Sequence, residues 1–213
     1  MNKEENLLTV TGMVIKQEPS REYDRRIEIL TKEKGKISVF VNGARRQNSM
    51  LAASSNPFAF GRFTLYVGRN SYTLREAVID NYFEKMREDV TMAFYGFYFL
   101  EIADYYSREN VTDIDFLRLL YQAVRTLENP MFSLKFVKAV FEIKAVQING
   151  ELFEPENVSP GVRKAYSYIV SSPVNKVFSF KLSEESEKEL IDWASKMCEK
   201  TFDKRFMSLD LID

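Results

Sequence analysis

The chain of 213 residues contains no histidine and one cysteine, Cys198. Histidine-based general acid–base catalysis and histidine-containing triads are therefore excluded. No disulfide can form within the chain, and a zinc site built from cysteine and histidine lacks its ligands. The lone thiol fits a reducing compartment. Because it shares an amphipathic helix with Trp193 and Met197, we interpret Cys198 as a buried packing residue.

Long hydrophobic runs are also missing. The strongly apolar uncharged stretch VTMAFYGFYFL at residues 90–100 is shorter than the roughly 20 residues that span a bilayer. The N-terminal stretch MNKEENLLTVTG lacks the apolar centre of a signal peptide. We therefore expect a soluble cytoplasmic protein with no membrane partner.

The charge of the chain is unevenly distributed along its length. The net charge is −1, but residues 1–80 carry 13 Lys and Arg against 9 Asp and Glu, and residues 81–213 carry 17 against 22. Apolar residues make up 45% of the chain, which is enough for a sizeable core. The change of charge coincides with a change of hydrophobic period, so we predict one domain at 1–80 and a second at 81–213.

The first of these regions has the pattern of β-strands. Strands are predicted within residues 7–17, on both sides of a turn at Lys34-Gly35, and on both sides of a turn at residues 68–70. In the third strand Ile37, Val39 and Val41 share one face. Five short strands with Gly and Asn turns favour a small closed barrel, because closure removes exposed edges. The polar segment 46–56 separates the third strand from the fourth.

After residue 80 the period becomes helical. We predict helical structure through 81–107, then helices that begin at Thr112 as N-cap, at Pro130, at Ser159-Pro160 and after Ser183. The residues predicted to be buried on the second and third of these helices are Phe116, Leu120, Val124, Leu127, Phe132, Phe136, Val140 and Phe141. The residues predicted to face solvent opposite them are Lys135, Lys138 and Glu142.

A basic cluster is the strongest chemical signal in the chain. Between residues 25 and 46 there are seven cations and two acids, and several cations on one surface can follow the phosphates of a nucleic acid. Aromatic residues nearby, which could stack on bases, are Tyr23, Phe40, Phe58, Phe60, Tyr66 and Tyr72. The alternative is that the cations form a solvated face, and each aromatic residue taken singly fits the barrel core better.

Nothing in the sequence indicates an enzyme. The carboxylate pairs Glu88-Asp89 and Asp113/Asp115 fit helix caps or solvated positions better than a metal site. The glycines match no phosphate-binding loop. No nucleophile has a recognisable base, so a metal-dependent nuclease is a weak alternative. We expect no cofactor and no metal.

Several segments carry a family resemblance. TGMVIK, YDRRIEILTKEKGKISVFVNGARR and PFAFGRFTLYVGRNSYTLREA resemble the start of the bacterial recombination mediator RecO family. The similarity runs from Thr11 to Arg46 with few departures; Asn42 stands where the family commonly has lysine. At the other end, LSEESEKELIDWASKMCEKTFDKRFMSLDLI resembles the closing helix and tail of that family.

One departure concerns zinc. Many members of the family carry a four-cysteine zinc module between the central helices and the C-terminal pair. In this chain that region is the short VQINGELFEPENV, which has no cysteine. We infer that the module has been lost and the chain closed across the gap.

The resemblance implies an α+β protein with a five-stranded OB-fold barrel followed by a helical domain. It also implies binding of single- and double-stranded DNA, annealing of complementary strands, a partnership with RecR, recognition of the acidic C-terminal tail of single-stranded-DNA-binding protein, and help in loading RecA. Localisation is then cytoplasmic and associated with the nucleoid. The residues that we assign to DNA are Arg25, Arg26, Lys34, Lys36, Arg45, Arg46 and Arg69.

For the acidic tail we expect an apolar pocket edged by cations. We assign Lys135 and Lys138, beside Phe132 and Phe136, to this pocket. The alternative is that both lysines lie on the solvent-exposed face of an amphipathic helix. For the whole chain we expect a non-enzymatic mediator of DNA repair. The alternative from a different class is an OB-fold scaffold whose basic face binds an acidic protein.

Overall fold

The computed structural model describes residues 6–211. Residues 1–5, part of the stretch that we expect to lack a signal peptide, lie outside this range. The chain divides into two compact units, Met1–Glu84 with Ala103–Leu117, and Lys85–Ile102 with Arg118–Asp213. Segment 103–117, which the helical period placed in the second domain, therefore lies in the barrel unit.

Five strands form the sheet of the first unit: β1 (Leu7–Pro19), β2 (Arg25–Thr31), β3 (Gly35–Val41), β4 (Phe60–Val67) and β5 (Tyr72–Asn81). They close into a barrel in the order β1-β2-β3-β5-β4, with β4 returning to β1. Strands β3 and β5 run parallel, and the other neighbours are antiparallel. The predicted five-stranded OB-fold barrel is confirmed.

Side chains at alternate strand positions point inward and fill the barrel. Ile37, Val39 and Val41 are buried as predicted, while Phe40 between the last two points outward. They pack in one cluster with partners from the other strands, among them Val10, Ile27, Ile29, Phe63, Leu65 and Leu74. The period-2 pattern of β3 thus separates a core face from a surface that is free for contacts.

The first half of β3 is covered by a segment from far along the chain. β3 pairs with β5 only through Val39–Tyr72 and Phe40–Thr73, which leaves the edge near Gly35 open to other partners. Residues 108–111 lie there: the Lys36 amide donates to the Arg108 carbonyl (3.3 Å), and Glu109 bridges to Gly35. Gly35 has φ of +63°, and a Cβ at this position would collide with the carbonyl oxygen of Val111. This close approach explains why a glycine stands at the turn.

Between β3 and β4 the chain forms a short helix, α1 (Leu51–Ser54), inside the polar segment that separates these strands. A single turn is too short to show a helical period in the sequence.

The second unit is built mainly on α2 (Lys85–Glu88), α3 (Val90–Tyr106), α4 (Ile114–Leu127), α5 (Leu134–Ile148), α6 (Pro160–Ser171) and α7 (Glu184–Thr201). Short 3-10 helices follow at Val174–Lys176 and Met207–Leu211. The C-terminal end of α3 and the N-terminal end of α4 belong to the first unit. No helix within residues 6–211 has the length and apolar character to cross a membrane.

The predicted helix starts are confirmed at two places. The Ser159 hydroxyl accepts from the amide of Val162 with Pro160 as first helical residue, and the Ser183 hydroxyl accepts from the amide of Ser186.

The other three predicted starts are wrong in detail. Asp113, not Thr112, caps α4, since its carboxylate accepts from the amide of Phe116 (2.8 Å). Helix α5 begins after Ser133, whose hydroxyl accepts from the amide of Phe136 (3.0 Å), rather than at Pro130. The stretch 81–107 starts as the end of β5, and α3 begins only after Asp89, which accepts from the amide of Met92 (2.9 Å).

The buried faces of α4 and α5 are largely as predicted. All four residues assigned to the core of α4 are buried, as are Phe136, Val140 and Phe141 of α5, while Phe132 precedes the helix and is half-buried. Glu142, however, is only 1% exposed, so its assignment to the solvent face is wrong. Most of α5 is buried all round, and a polar residue at such a position needs partners from other helices.

Candidate nucleic-acid interface

A groove of about 530 Å³ lies on the outer surface of the barrel. It is bordered by the outward residues of β2 and β3, by the β4–β5 loop at 68–71, and by residues 109–110. The lining side chains with chemical character are Arg26, Ser38, Phe40, Arg69, Tyr72 and Glu109. The outer face of strands 2 and 3 together with this loop is where OB-folds bind oligonucleotides.

Strand register explains why an arginine and a phenylalanine meet in this groove. Arg26 of β2 is paired with Phe40 of β3, and alternation turns both outward. Phe40 is 38% exposed although its neighbours in sequence, Val39 and Val41, are buried. The Arg26 Nε donates to the Ser38 hydroxyl at 2.6 Å, which fixes the guanidinium beside the aromatic ring. A cation next to an exposed ring can hold a phosphate while the ring stacks on a base.

The arginine pair that follows β3 lies against the β1–β2 loop. The Arg45 amide donates to the Tyr23 carbonyl (2.9 Å), and the Arg46 guanidinium lies 5.6 Å from the centre of the Tyr23 ring. The Gly43 amide donates to the Asp24 carboxylate (2.8 Å), so the two loops are joined at several points. Both arginine side chains are exposed. The loop therefore presents two cations and a half-exposed aromatic ring at the end of the barrel where β3 stops.

Two further predicted residues are exposed cations in loops. Arg69 is in the β4–β5 loop and borders the groove, and Lys34 is in the β2–β3 turn. Neither belongs to the barrel core, so both can reach a ligand.

Arg25, in contrast, is used by the fold. Its guanidinium donates to the Ala52 carbonyl (3.0 Å), the Ser55 hydroxyl (2.9 Å) and the Asn56 side chain (2.9 Å). These bonds hold α1 and the residues after it against β2. Burial, followed by the charge of Arg45, lowers the pKa of Arg25. The geometry gives this residue a structural position below the loop that carries Arg45.

Lys36 is also engaged. Its ammonium contacts the Asp104 carboxylate at 2.6 Å and the Asp104 carbonyl at 3.0 Å, with Glu28 at 3.9 Å. Burial acts to raise the pKa of Asp104, but the hydrogen bond and charge of Lys36 outweigh it and the pKa is lowered. Burial and the nearby Asp104 charge raise the pKa of Glu28. The charge of Lys36 is thus neutralised within the protein.

The aromatic residues of the barrel divide between core and surface. Phe58 is buried, and Phe60 and Tyr72 are half-buried. Tyr23, Phe40 and Tyr66 are exposed, so the core interpretation is wrong for these three. The guanidinium of Arg75, a cation that the basic cluster did not include, lies 5.9 Å from the centre of the Tyr66 ring. Alternation along β3 and β4 contained this signal, since Phe40 and Tyr66 occupy outward positions.

Sequence reasoning missed Glu109 and Asn110, which border the groove from a segment far from the strands. No local pattern connects residue 109 to β3. Only the folded chain brings them together.

In the helical unit, the two lysines assigned to the acidic tail lie in different surroundings. The Lys138 ammonium pairs with the buried Glu142 at 2.8 Å and lies 5.4 Å from the centre of the Tyr98 ring. Tyr98 also donates to the same Glu142 oxygen at 2.6 Å. Burial acts to lower the pKa of Lys138, but Glu142 outweighs it and the pKa is raised. Lys135 is exposed on the same helix.

A different groove of the helical unit has the apolar floor and cationic edge that we expected around Lys135. Its volume is about 710 Å³, and Phe153 and Trp193 form its floor with ring centres 6.2 Å apart. The cations that line it are Arg163, Lys196 and Lys200, and the carboxylates are Glu154 and Glu156. Lys200 lies 5.8 Å from the centre of the Phe153 ring. Phe153 belongs to the stretch that stands where many family members have the cysteine module.

The chain does not fit that zinc module. It has one cysteine and no histidine, and Cys198 is buried in α7 as predicted. Within residues 6–211 no cluster of three or more His, Cys, Asp or Glu side chains could hold a metal ion. Asp89 and Asp113, from the carboxylate pairs considered as metal ligands, cap helices instead.

Comparison with known proteins agrees with the geometry. The family model described as "Recombination protein O N terminal" matches residues 5–83. Relatives named DNA repair protein RecO include one from Acetivibrio thermocellus, 28% identical over 97% of this chain and 96% of the relative. Another, from Alkaliphilus metalliredigens, is 31% identical over 68% of this chain and 58% of the relative. A third, from Clostridium acetobutylicum, is 21% identical over 95% of each.

The length of one alignment bears on the missing module. The alignment to the Acetivibrio relative extends over 242 positions, more than the 213 residues of this chain. That relative therefore carries residues that have no counterpart here, in line with an internal loss.

Proposed function

This chain belongs to the RecO family of DNA repair and recombination proteins, and from that premise we propose that it is a non-enzymatic recombination mediator. In this role it binds single- and double-stranded DNA, anneals complementary strands, and with RecR helps to load RecA onto DNA covered by single-stranded-DNA-binding protein. Family membership implies interaction with DNA and with RecR in general terms. The finer steps are our proposal.

The observation that carries the proposal is the combination of exposed cations and exposed aromatic rings on the barrel. Arg26 and Arg69 border a groove that also contains Phe40, and Arg46 lies over Tyr23 at the adjoining loop. A plain solvated face has no need of exposed rings, since burying them would stabilise the barrel. A strand of DNA uses both, with its phosphates on the cations and its bases on the rings.

Annealing follows from charge neutralisation. Two complementary strands repel each other through their phosphates, and each phosphate that an arginine neutralises also releases condensed counterions. A surface that binds both strands therefore lowers the electrostatic barrier to their pairing without any bond being made or broken in the protein. Of the cations that we assign to DNA, Arg26, Arg45, Arg46, Arg69 and Lys34 are exposed and available for this. Arg25 and Lys36 support the surface from below through the bonds described above.

Fluorescence anisotropy with a labelled oligonucleotide across a salt series tests the proposal. We expect affinity that falls steeply with salt, with a slope of about 0.7 in log affinity per log salt for each phosphate bound on a single strand. The alternative, an OB-fold scaffold for an acidic protein partner, predicts negligible DNA binding at physiological salt. Products of DNA cleavage after long incubation with magnesium would instead show a nuclease.

For the acidic tail we propose the groove over Phe153 and Trp193. A tail that ends in acids and an aromatic residue with a free carboxylate needs an apolar floor for the ring and cations for the charges. Trp193 and Phe153 supply the floor, and Arg163, Lys196 and Lys200 supply the charges. Three cations against two carboxylates leave this groove positive.

Trp193 is the only tryptophan of the chain, so its fluorescence reports on this groove alone. Titration with a tail peptide should change the emission, and Lys200→Ala should weaken binding. Lys135→Ala/Lys138→Ala serves as the comparison, because it tests the site assigned from sequence. If that double variant loses affinity while Lys200→Ala keeps it, the tail binds near α5 and the groove assignment is wrong.

A further inference from the structure

The groove on the barrel contains one feature that phosphate binding does not explain. Glu109 borders it together with Arg26 and Arg69. A carboxylate in a groove for a polyanion repels the phosphates, which lowers affinity at close range. Within residues 6–211 the Glu109 side chain has no hydrogen bond and no ion pair, so it does not serve to neutralise a neighbouring cation.

The position of Glu109 is fixed by its backbone. It bridges to Gly35 and Lys36 at the edge of β3, and the Lys36 amide donates to the preceding residue, Arg108. Main-chain pairing therefore holds the backbone of Glu109 at one wall of the groove, and its exposed side chain borders the groove. An ionised carboxylate on a backbone held at the groove wall can receive hydrogen bonds from a ligand.

The other walls of the groove suit a nucleobase. Phe40 is exposed and offers its ring for stacking, while Asn70, Asn110 and Ser38 offer neutral polar groups. On a base, the groups that donate to a carboxylate are the exocyclic amines of cytosine, adenine and guanine. Thymine has no such amine, and its ring N–H lies between two carbonyl oxygens that a carboxylate repels.

We propose that Glu109 makes this groove selective for bases that carry an exocyclic amino group, and discriminates most against thymine. This inference rests on the proposed binding of single-stranded DNA at the barrel. Arg26 and Arg69 hold the phosphates of any sequence, Phe40 stacks on any base, and Glu109 accepts a hydrogen bond only where a base supplies the donor. The affinity of the groove then depends on the base composition of the DNA as well as on its phosphate charge.

Cytosine and thymine give the sharpest comparison, because both are pyrimidines and the groups at their ring position 4 are an amine and a carbonyl. We expect the full-length protein to bind an oligo-dC about fivefold more tightly than an oligo-dT of equal length, which is the low end of the effect of a base-specific hydrogen bond. Glu109→Gln should abolish this ratio, because the amide can donate to thymine as well as accept from cytosine.

The matched control is Glu76→Gln, which removes the same charge from an exposed position on β5 outside the groove lining. It should leave the dC to dT ratio unchanged. If Glu109 acts only through its charge, Glu109→Gln will strengthen binding to both oligonucleotides by the same factor, and the proposal is overturned.

A measurement on the unmodified protein removes any dependence on how the variant folds. An oligonucleotide of N4,N4-dimethylcytosine has no donor hydrogens at the amine, and we expect it to bind like oligo-dT. Binding equal to that of oligo-dC would overturn the proposal. No binding of any oligonucleotide would instead refute the proposed function itself, which separates the two failures.

Discussion

Arg25 and Arg26 are neighbours in the chain, yet their side chains end in different surroundings. Arg25 is half-buried and donates three hydrogen bonds to residues 52–56, while Arg26 points outward beside Phe40. Alternation along β2 separates the two faces. A count of positive charges therefore overstates the number of cations that DNA can reach.

The first prediction concerns the arginine pair after β3. Replacing both Arg45 and Arg46 by alanine should weaken binding to every DNA sequence about equally. Loss of two phosphate contacts should also flatten the plot of log affinity against log salt by about 1.4 for a single strand. Annealing should slow in parallel. Anisotropy across a salt series measures the first two effects.

Arg87→Ala/Arg125→Ala is the control for this pair, since it removes the same charge from exposed positions on α2 and α4, away from the barrel strands. It should change the slope less. If Arg45→Ala/Arg46→Ala keeps its melting temperature and the slope of the unmodified protein, these arginines do not contact DNA.

At the scale of elements, the Lys36–Asp104 pair joins β3 to the end of α3 within the barrel unit. Lys36 lowers the pKa of Asp104 despite burial. A carboxyl with a depressed folded pKa contributes stability above its unfolded pKa of about 3.9, and this stability is lost as the pH falls through the folded pKa.

The second prediction follows from the lowered pKa of Asp104. Asp104→Asn should lower the free energy of unfolding at neutral pH by about 0.5–1 kcal/mol, a modest value because the pair is partly exposed. The difference from the unmodified protein should begin to shrink at about pH 4 and approach zero as the pH falls through the lowered folded pKa of Asp104, where Asp104 becomes as neutral as the asparagine. Urea denaturation at several pH values measures it, and a difference that stays constant into acid would contradict it.

The third prediction concerns the junction of α5 and α6. The buried Lys144 ammonium donates to the carbonyls of Ile169, Val170 and Ser172 at 2.9–3.2 Å, where α6 ends. It satisfies carbonyls that have no partner within the helix, and its charge complements the helix dipole. Lys144→Met should lower the free energy of unfolding by about 1.5–3 kcal/mol, the range for hydrogen bonds to a charged group.

Lys135→Met is the comparison for Lys144→Met, because it makes the same substitution at an exposed position of the same helix. Its effect should stay within about 0.5 kcal/mol. Equal losses from both substitutions in urea denaturation would show that Lys144 does not support the end of α6.

Sequence patterns anticipated elements better than partners. The strands of the barrel, the inward face of β3 and the Ser159 and Ser183 caps follow from local rules of alternation and capping. The assignment of Glu142 to the solvent face was wrong, and the assignment of Lys36 to DNA did not include its ion pair with Asp104. Their surroundings are set by Tyr98 and Asp104, residues distant in the chain, and no local period contains that information.

At the scale of the whole molecule, the chain joins α5 to α6 without the cysteine module. The fourth prediction is that the purified protein contains no stoichiometric zinc and that chelators leave its melting temperature unchanged. The physical reason is the composition, with one buried cysteine and no histidine. Elemental analysis that finds about one zinc per chain would overturn it.

The candidate site was predictable only in part, because local sequence patterns reveal loops but not contacts between distant segments. The positions of Arg45, Arg46 and Arg69 in loops could be inferred from turn residues, and their assignment to DNA stays a prediction. The wall formed by residues 109–110 could not, because it comes from a segment whose own sequence pattern is unremarkable for a loop between helices.

The segment 108–111 also determines when, during synthesis, the open edge of β3 becomes covered. It covers the start of β3, where β5 does not reach. During synthesis the five strands are complete once residue 81 has emerged from the ribosome, but the edge at Gly35 and Lys36 stays open until some thirty further residues have followed. A chain that stops at Glu84 would expose that backbone edge permanently, and unpaired strand edges recruit other strands. The covered edge of this barrel is therefore completed by residues that the gene encodes about thirty codons after the last strand.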